Sequence, residues 1–149
     1  MKAEIDVLAR TIFGEARGEG YEGMEAVACV IINRVKSGVR WWGDTIITVC
    51  LKPWQFSCWN ANDPNKKIAL EVTKTNPVFS MALDIAEKAV AGDWEDVTNG
   101  ADHYHAKKMK EPPQWAVGKK PVAKIGNHLF FHLGSWKDLN KGDGHEKLA

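Results

Sequence analysis

The apolar positions near the start of the chain recur at helical spacing and predict two consecutive helices. The first apolar stripe runs out near residues 15–18, where Gly18 and Gly20 predict a tight turn. The second stripe spans residues 22–36 and is closed by Gly38. The inward-facing positions are Ile5, Leu8, Ala9, Ile12 and Phe13 in the first stripe, and Ala26, Val27, Val30, Ile31 and Val35 in the second.

Capping residues predict two short helices in the middle of the chain. Asp44 is the expected N-cap of a helix over residues 45–51, which Pro53 ends. Asp63 followed by Pro64 marks the start of the other, because proline is favoured in the first turn of a helix.

The second half of the chain changes from helical to strand periodicity. A longer helix begins at residues 76–77, an Asn-Pro pair, and ends at Gly92. Its apolar stripe consists of Val78, Met81, Ala82, Ile85 and Ala89. Three short strands are then predicted over residues 103–105, 122–125 and 128–132, with Gly126 and Asn127 as a hairpin turn between the last two. Helices followed by a small antiparallel sheet predict an α+β fold.

The length and composition indicate one globular domain. The chain has 149 residues, of which 44% are hydrophobic and 26% are charged. It shows no internal repeat or linker, so we expect one domain over residues 1–135. Residues 136–149 are polar and contain glycine, and we expect them to form a loosely held tail.

The charge balance argues against several classes of partner. Lys plus Arg (20) nearly equals Asp plus Glu (19), so no strong basic field favours nucleic acid or an anionic membrane. No apolar run is long enough to span a bilayer, and the amino terminus lacks the pattern of a signal peptide. The basic run is expected to be a solvated loop; its members are Lys107, Lys108, Lys110, Lys119 and Lys120.

The three cysteines favour reduced thiols, because their number is odd and no export signal is evident. Cys29 lies on the apolar face of the second predicted helix and is expected in the core. The spacing of Cys50 and Cys58 alone does not decide whether these two residues form a disulfide.

Glu15 is the strongest candidate for chemistry. It stands where an apolar helix runs out into glycine and just before a second apolar helix, at the expected wall of a cleft. Such surroundings can keep a carboxyl group protonated near neutral pH. Glu19, Glu22 and Glu25 crowd the same stretch, and Glu19 is expected to support Arg17 or the second helix. The alternative is that all four glutamates are solvated charges at helix ends.

Two other groups of residues have the composition of a binding site. The segment Trp54 to Ser57 combines aromatic rings with Gln55, a mixture that suits carbohydrate, although loop packing explains it as well. The other group is His103 and His105, which face the same side of a strand; with His128 or His132 they have enough imidazoles for zinc. No companion metal motif accompanies them, so polar residues lining a cleft are the favoured interpretation, and we predict no metal.

The order of motifs resembles the spore cortex-lytic type of cell wall hydrolase. The residues that carry the likeness are LARTIFGEARGE at 8–19, EGMEAVA at 22–28, INRV at 32–35, WQFS at 54–57, NGA at 99–101 with HY at 103–104, WA at 115–116 and IGNHLFF at 125–131. The likeness extends from about residue 5 to residue 132, and a shared order of several motifs is more specific than any single one.

This resemblance implies a lysozyme-like fold, mainly helical with a small antiparallel sheet in the C-terminal part. It also implies cleavage of the glycan strands of peptidoglycan, typically as a lytic transglycosylase, with no cofactor. It assigns the catalytic glutamate to Glu15. The residues that it places around the cleft are Trp54, Gln55, Phe56, Asn99, His103, Tyr104 and His128.

A lone catalytic domain without an export signal further resembles a phage endolysin. We therefore expect a monomer made in the host cytoplasm that reaches the wall or periplasm after release through a holin. The bond cut would be the β-1,4 link from N-acetylmuramic acid to N-acetylglucosamine. No aspartate outside the Glu15 region stands in a recognisable second-carboxylate motif, which favours an intramolecular transglycosylase route over hydrolysis.

Three alternatives stay open at this point. One is a hydrolytic muramidase that uses the same glutamate. Another is a zinc-dependent peptidoglycan amidase or peptidase built on His103, His105 and His128. The last is a wall-binding module that binds glycan through its tryptophan side chains and has no catalytic activity.

Overall fold

The computed structural model describes residues 2–134. The predicted C-terminal tail, residues 136–149, lies outside the described residues. The helices are α1 (Ala3–Ala16), α2 (Gly20–Ser37), α3 (Ile46–Leu51), α4 (Pro64–Glu71) and α5 (Pro77–Val90). The strands are β1 (His103–Ala106), β2 (Ala123–Ile125) and β3 (His128–Phe131). Short 3₁₀ turns lie at Arg17–Glu19, Arg40–Trp42, Ser57–Trp59 and Gln114–Ala116.

The three longest helices enclose the main core. Most positions of the predicted stripes are buried, whereas Ile5, Val35, Val78 and Met81 are only partly buried. Two residues outside the predicted stripes complete a core set that is at most 1% exposed: Met24 and Phe79, with Leu8, Ile12, Val27 and Ile31. Phe13 and Phe79 meet edge to face with ring centroids 5.6 Å apart, which joins α1 to α5. None of the helices in residues 2–134 is long and apolar enough to cross a membrane.

The sheet is antiparallel in the order β1-β3-β2. Phe130 on the central strand pairs with Tyr104 on β1 and with Ala123 on β2, and its side chain packs on Ala26 and Val30 of α2. This packing fixes the sheet against the helical core. The predicted α+β fold, mainly helical with a small antiparallel sheet late in the chain, is confirmed.

The predicted turn between the last two strands is also confirmed. Ile125 pairs with His128, which leaves Gly126 and Asn127 as a two-residue loop. Gly126 has φ 56°, a left-handed conformation that glycine adopts without strain.

The cap predicted for α3 is wrong by one residue. Thr45, not Asp44, caps the helix: the Thr45 hydroxyl accepts the Thr48 backbone N–H at 3.1 Å. The Thr48 hydroxyl in turn accepts the Thr45 backbone N–H at 3.0 Å, which completes a capping box. The helix starts predicted at Asp63 and Asn76 are confirmed. The Asp63 side chain accepts the Asn65 backbone N–H, and the Asn76 side chain accepts those of Val78 and Phe79.

The three cysteines in the described residues are free and buried. Burial raises the pKa of the Cys29 and Cys50 thiols to about 12 and raises that of Cys58 further. These thiols are therefore protonated core groups, which agrees with the role expected for Cys29.

The capping box yields a test of the revised cap. Replacing Thr45 with Ala removes the acceptor for the Thr48 N–H and is expected to lower the free energy of unfolding by about 1 kcal/mol. Asp44 makes no such bond, and its replacement with Ala is expected to change the value by less than about 0.5 kcal/mol. Urea unfolding of both variants measures the difference. A larger loss for Asp44→Ala would show that the aspartate is the cap.

Candidate active site

Glu15 lies at the end of α1, where two distant segments bind its carboxylate. The backbone N–H of Cys58 donates to Oε2 at 2.9 Å, and the Tyr104 hydroxyl donates to Oε1 at 2.5 Å. Ser57 Oγ lies 3.5 Å from Oε2. Both carboxylate oxygens are therefore held in place, and the group has a fixed orientation.

The close approach of the Ser57–Trp59 turn to α1 depends on Gly14. A Cβ atom at position 14 would lie 2.8 Å from the Cβ of Cys58, so a larger residue would push the turn away. Trp59 Nε1 also donates to Thr11 Oγ1 at 3.0 Å, one helical turn earlier. The sequence of α1 thus provides both the acid and the surface on which its hydrogen-bond donor sits.

Tyr104 reaches Glu15 from the centre of β1. Its ring is stacked on Phe130, with centroids 5.7 Å apart, and its hydroxyl points toward α1. Burial, reinforced by the Glu15 carboxylate, raises the pKa of Tyr104 well above its usual value of 10. The phenol therefore stays protonated and acts as a hydrogen-bond donor to Glu15.

Glu15 stands where two cavities meet. The larger has a volume of about 600 Å³ and the smaller about 430 Å³. Residues that line both are Gly14, Glu15, Asn65 and His128. The two cavities therefore form one groove with the carboxylate at its middle.

Most of the predicted site residues line the larger cavity: Glu15, Trp54, Gln55, His103, Tyr104 and His128. Trp54 is the most exposed, at 84%, and its φ of 68° is unusual for a large side chain. A bulky apolar ring presented to solvent on a strained backbone is typical of a ligand-binding position.

Two predicted site residues are not brought into the groove. Phe56 is only 1% exposed and lies in the core, where its ring packs 5.2 Å from the Arg34 guanidinium. Asn99 lies in a turn with φ 59° and is not among the residues lining either cavity. Asn tolerates this left-handed conformation better than most residues, so its role here is to form the turn. Their predicted contact with substrate is therefore not supported.

His103 is held by a buried carboxylate. Its Nδ1 lies 2.9 Å from Asp102 Oδ1, while the backbone N–H groups of Leu133 and Gly134 donate to the same carboxylate at 2.9 Å each. Burial lowers the pKa of His103 below its usual value even though Asp102 opposes the shift. The imidazole is therefore neutral at physiological pH.

The histidines among residues 2–134 are not grouped around a common metal position. His105 is engaged with the carbonyl of Ala106 at 2.9 Å, whereas His103 is paired with Asp102. Within residues 2–134, no group of three or more His, Cys, Asp or Glu side chains is placed to hold a metal ion. The geometry therefore gives no support to the zinc amidase alternative.

Glu19 was expected to support Arg17 or the second helix. Its carboxylate instead binds the β2–β3 hairpin. Its carboxylate accepts the Asn127 backbone N–H at 2.7 Å and the Asn127 amide at 3.1 Å. These bonds, above all the one from the backbone N–H, lower the pKa of Glu19.

His128 Nδ1 lies 3.6 Å from Glu19 Oε1 and is buried with no hydrogen-bond partner among the described residues. Burial lowers the pKa of His128, so that its ring is neutral beside Glu15.

Sequence reasoning missed Arg34, which lines the larger cavity and is only 5% exposed. Its Nε donates to the carbonyl of Asp102 at 2.8 Å, and its Nη1 donates to Gln55 Oε1 at 2.9 Å. The rings of Trp42 and Phe56 flank it at 5.4 and 5.2 Å. The sequence contains a signal for its burial, because Arg34 lies one helical turn after Val30 and Ile31, inside the apolar stripe of α2.

Comparison with known proteins identifies relatives over most of the chain. The sequence model of the family described as Cell Wall Hydrolase matches residues 18–131. The spore cortex-lytic enzymes of Bacillus subtilis and Oceanobacillus iheyensis are 28% and 29% identical over 85% of this chain. The aligned region is 37% and 41% of those proteins, so this chain spans about two fifths of the length of the curated relatives it matches.

Solved structures show the same fold. The catalytic domain of the germination-specific lytic transglycosylase SleB from Bacillus anthracis has a TM-score of 0.66 and 27% identity, covering 88% of this chain and 95% of that one. The catalytic domain of the Bacillus cereus SleB protein has a TM-score of 0.63 and 27% identity, covering 86% and 88%. The predicted family resemblance is confirmed, although Glu15 precedes the matched span and its role stays a prediction. This chain belongs to the cell wall hydrolase family and has its lysozyme-like fold.

Proposed function

We propose that this protein cuts peptidoglycan glycan strands at the β-1,4 bond between N-acetylmuramic acid and N-acetylglucosamine, as a monomeric lytic transglycosylase. The observation that carries the proposal is the Glu15 carboxylate, oriented by Cys58 and Tyr104 at the middle of the groove. Family membership and the resemblance to a solved domain described as a lytic transglycosylase support the substrate and the reaction.

The first step is general acid catalysis. The Glu15 carboxyl donates its proton to the glycosidic oxygen while the bond from that oxygen to the muramic C1 breaks. N-acetylglucosamine leaves with a free 4-hydroxyl, and positive charge develops on the muramic ring as an oxocarbenium-like centre. Tyr104 stabilises the Glu15 carboxylate that results, because its buried phenol keeps its proton and donates to Oε1.

The second step uses the same residue as a base. The Glu15 carboxylate accepts the proton of the muramic C6 hydroxyl, and O6 bonds to C1 to give a 1,6-anhydro ring. The proton lost in the first step is thereby restored, and no water is consumed. Among the described residues, Glu15 is the one acid that lines the larger cavity, which favours this single-carboxylate route.

A hydrolytic muramidase is the second candidate, and Glu19 is the observation that keeps it open. Glu19 lines the smaller cavity beside Glu15, and a hydrolase uses a second carboxylate to attack or to activate water. The two hydrogen bonds from Asn127 already occupy the Glu19 carboxylate and tie it to the hairpin, which makes this role less favourable.

We further propose that the protein acts as a phage endolysin that is made in the host cytoplasm and reaches the wall through a holin. Its three buried, protonated thiols support synthesis in a reducing compartment. Its resemblance to cortex-lytic domains supports a target in the wall.

Replacing Glu15 with Gln tests the catalytic assignment. The amide retains the shape of the side chain but cannot donate and then accept the proton, so the rate of turbidity loss of purified sacculi should fall at least about 100-fold. Thermal unfolding checks that the fold is retained. The control is Glu22→Gln, an exposed acid in the first turn of α2, which should retain the parent rate. Lysis by Glu15→Gln at the parent rate would rule out the assignment.

The released products distinguish the two reactions. A lytic transglycosylase gives muropeptides that end in 1,6-anhydro-muramic acid, whereas a hydrolase gives a reducing end that contains one more water. Mass spectrometry of muropeptides from sacculi should therefore show products lighter by one water, about 18 Da, and resistant to borohydride reduction. Reducible muropeptides as the main product would instead favour the muramidase.

Expression in a bacterial host tests the proposed endolysin role. Cells that make the protein alone should keep growing, and co-expression of a holin or brief chloroform treatment should cause rapid clearing. The Glu15→Gln variant under the same treatment is the control and should not clear the culture. Clearing without a holin or chloroform would contradict holin-dependent release.

A further inference from the structure

A pair of hydrogen-bond donors faces the larger cavity beside Glu15. The Arg34 guanidinium can only donate, so its bond to Gln55 fixes the carbonyl oxygen of that amide toward the arginine. The NH₂ group of Gln55 is therefore directed away from the arginine. Among the described residues, neither this NH₂ group nor Arg34 Nη2 has a hydrogen-bond acceptor. Both residues line the cavity, so this pair presents donors and no acceptor, whereas the carboxylate on the same cavity belongs to Glu15.

The charge of Arg34 lacks a bonded counter-ion. No carboxylate in residues 2–134 lies within salt-bridge distance of its guanidinium, and its two bonded partners are neutral oxygens. Asp102 contributes only its carbonyl, because its carboxylate binds His103 and two backbone N–H groups. Burying a cation without a paired anion is unfavourable unless another group compensates for it.

The guanidinium is nevertheless held in one orientation. The rings of Trp42 and Phe56 lie at 5.4 and 5.2 Å from it, and its Nε bond to Asp102 fixes the plane. A donor group that is rigid, buried and incompletely bonded is prepared to receive an acceptor from a ligand.

We propose that Arg34 and Gln55 hold a carbonyl or carboxylate oxygen carried by a sugar substituent next to the bond that is cut. This inference rests on the proposed function, because it places a glycan in the Glu15 groove. A ring hydroxyl fits less well, since its own proton would find no acceptor at this pair. Two substituents of the glycan carry such an oxygen: the 2-acetamido group and the lactyl group of muramic acid.

Gln55→Glu tests the proposal with little change of shape. The new carboxylate accepts from Arg34 as the amide oxygen did, so the fold is retained, but it neutralises the guanidinium and replaces the NH₂ donor with an acceptor. Binding is measured by calorimetry in the Glu15→Gln background, where turnover is stopped. The probes are cellotetraose, chitotetraose, and a peptide-free tetrasaccharide of alternating N-acetylglucosamine and N-acetylmuramic acid.

The expected result is a loss of preference. Gln55→Glu should weaken binding of a probe that carries the recognised oxygen by about tenfold or more while leaving cellotetraose binding unchanged. A reduced ratio of chitotetraose to cellotetraose affinity would identify the acetamido oxygen. A reduced ratio of muramic tetrasaccharide to chitotetraose affinity would identify the lactyl oxygen.

Asn65→Asp is the matched control. Asn65 also lines the cavity, and its side-chain oxygen also accepts from an arginine, Arg17, at 2.7 Å. The same change from amide to carboxylate there should leave both affinity ratios as in the parent. Equal ratios in Gln55→Glu and its parent, or parallel losses in Gln55→Glu and Asn65→Asp, would overturn the proposal. So would failure of the Glu15→Gln parent to bind any probe. Lysis of sacculi by the unmodified protein, assayed alongside, shows separately whether the proposed function stands.

Discussion

The groove depends on the hydrogen bonds that meet at the Glu15 carboxylate. Cys58 is 43 residues away in the sequence and Tyr104 is 89, so this one side chain joins the end of α1 to a turn and to the sheet. Hydrogen bonds to a charged acceptor are stronger than those between neutral groups. Here they connect α1 to the Ser57–Trp59 turn and to β1. The same bonds that assemble the site also fix the orientation that general acid catalysis requires.

Local patterns in the sequence predicted the helices and the hairpin because their physical causes are local. Periodic burial defines α1, α2 and α5, and the Gly126-Asn127 turn is set by backbone conformation. The cap of α3 was misassigned because Asp44 and Thr45 are both good capping residues, and only the reciprocal bond with Thr48 distinguishes them.

The candidate site was less predictable because its residues come together only in the tertiary structure. The sequence places Glu15 at a helix end, but nothing in its spacing indicates Tyr104 as a partner; the family resemblance supplied that residue. Phe56 was misjudged because the local sequence does not show that its ring is buried and packs against the Arg34 guanidinium. A charged residue within an apolar stripe is a more informative signal than an aromatic residue in a loop.

The smaller cavity of the groove is organised by a second carboxylate, Glu19, which has a structural role. Glu19 accepts two hydrogen bonds from Asn127, and a Cβ atom at position 126 would lie 3.0 Å from Glu19 Oε1. Gly126 is thus favoured by this close contact as well as by its positive φ, and the hairpin places His128 at the smaller cavity. Because Glu19 follows Glu15 by one short turn, a single stretch of chain positions the acid and the opposite wall of its groove. The Glu15 carboxylate therefore faces the larger cavity, while the Glu19 carboxylate maintains the shape of the groove.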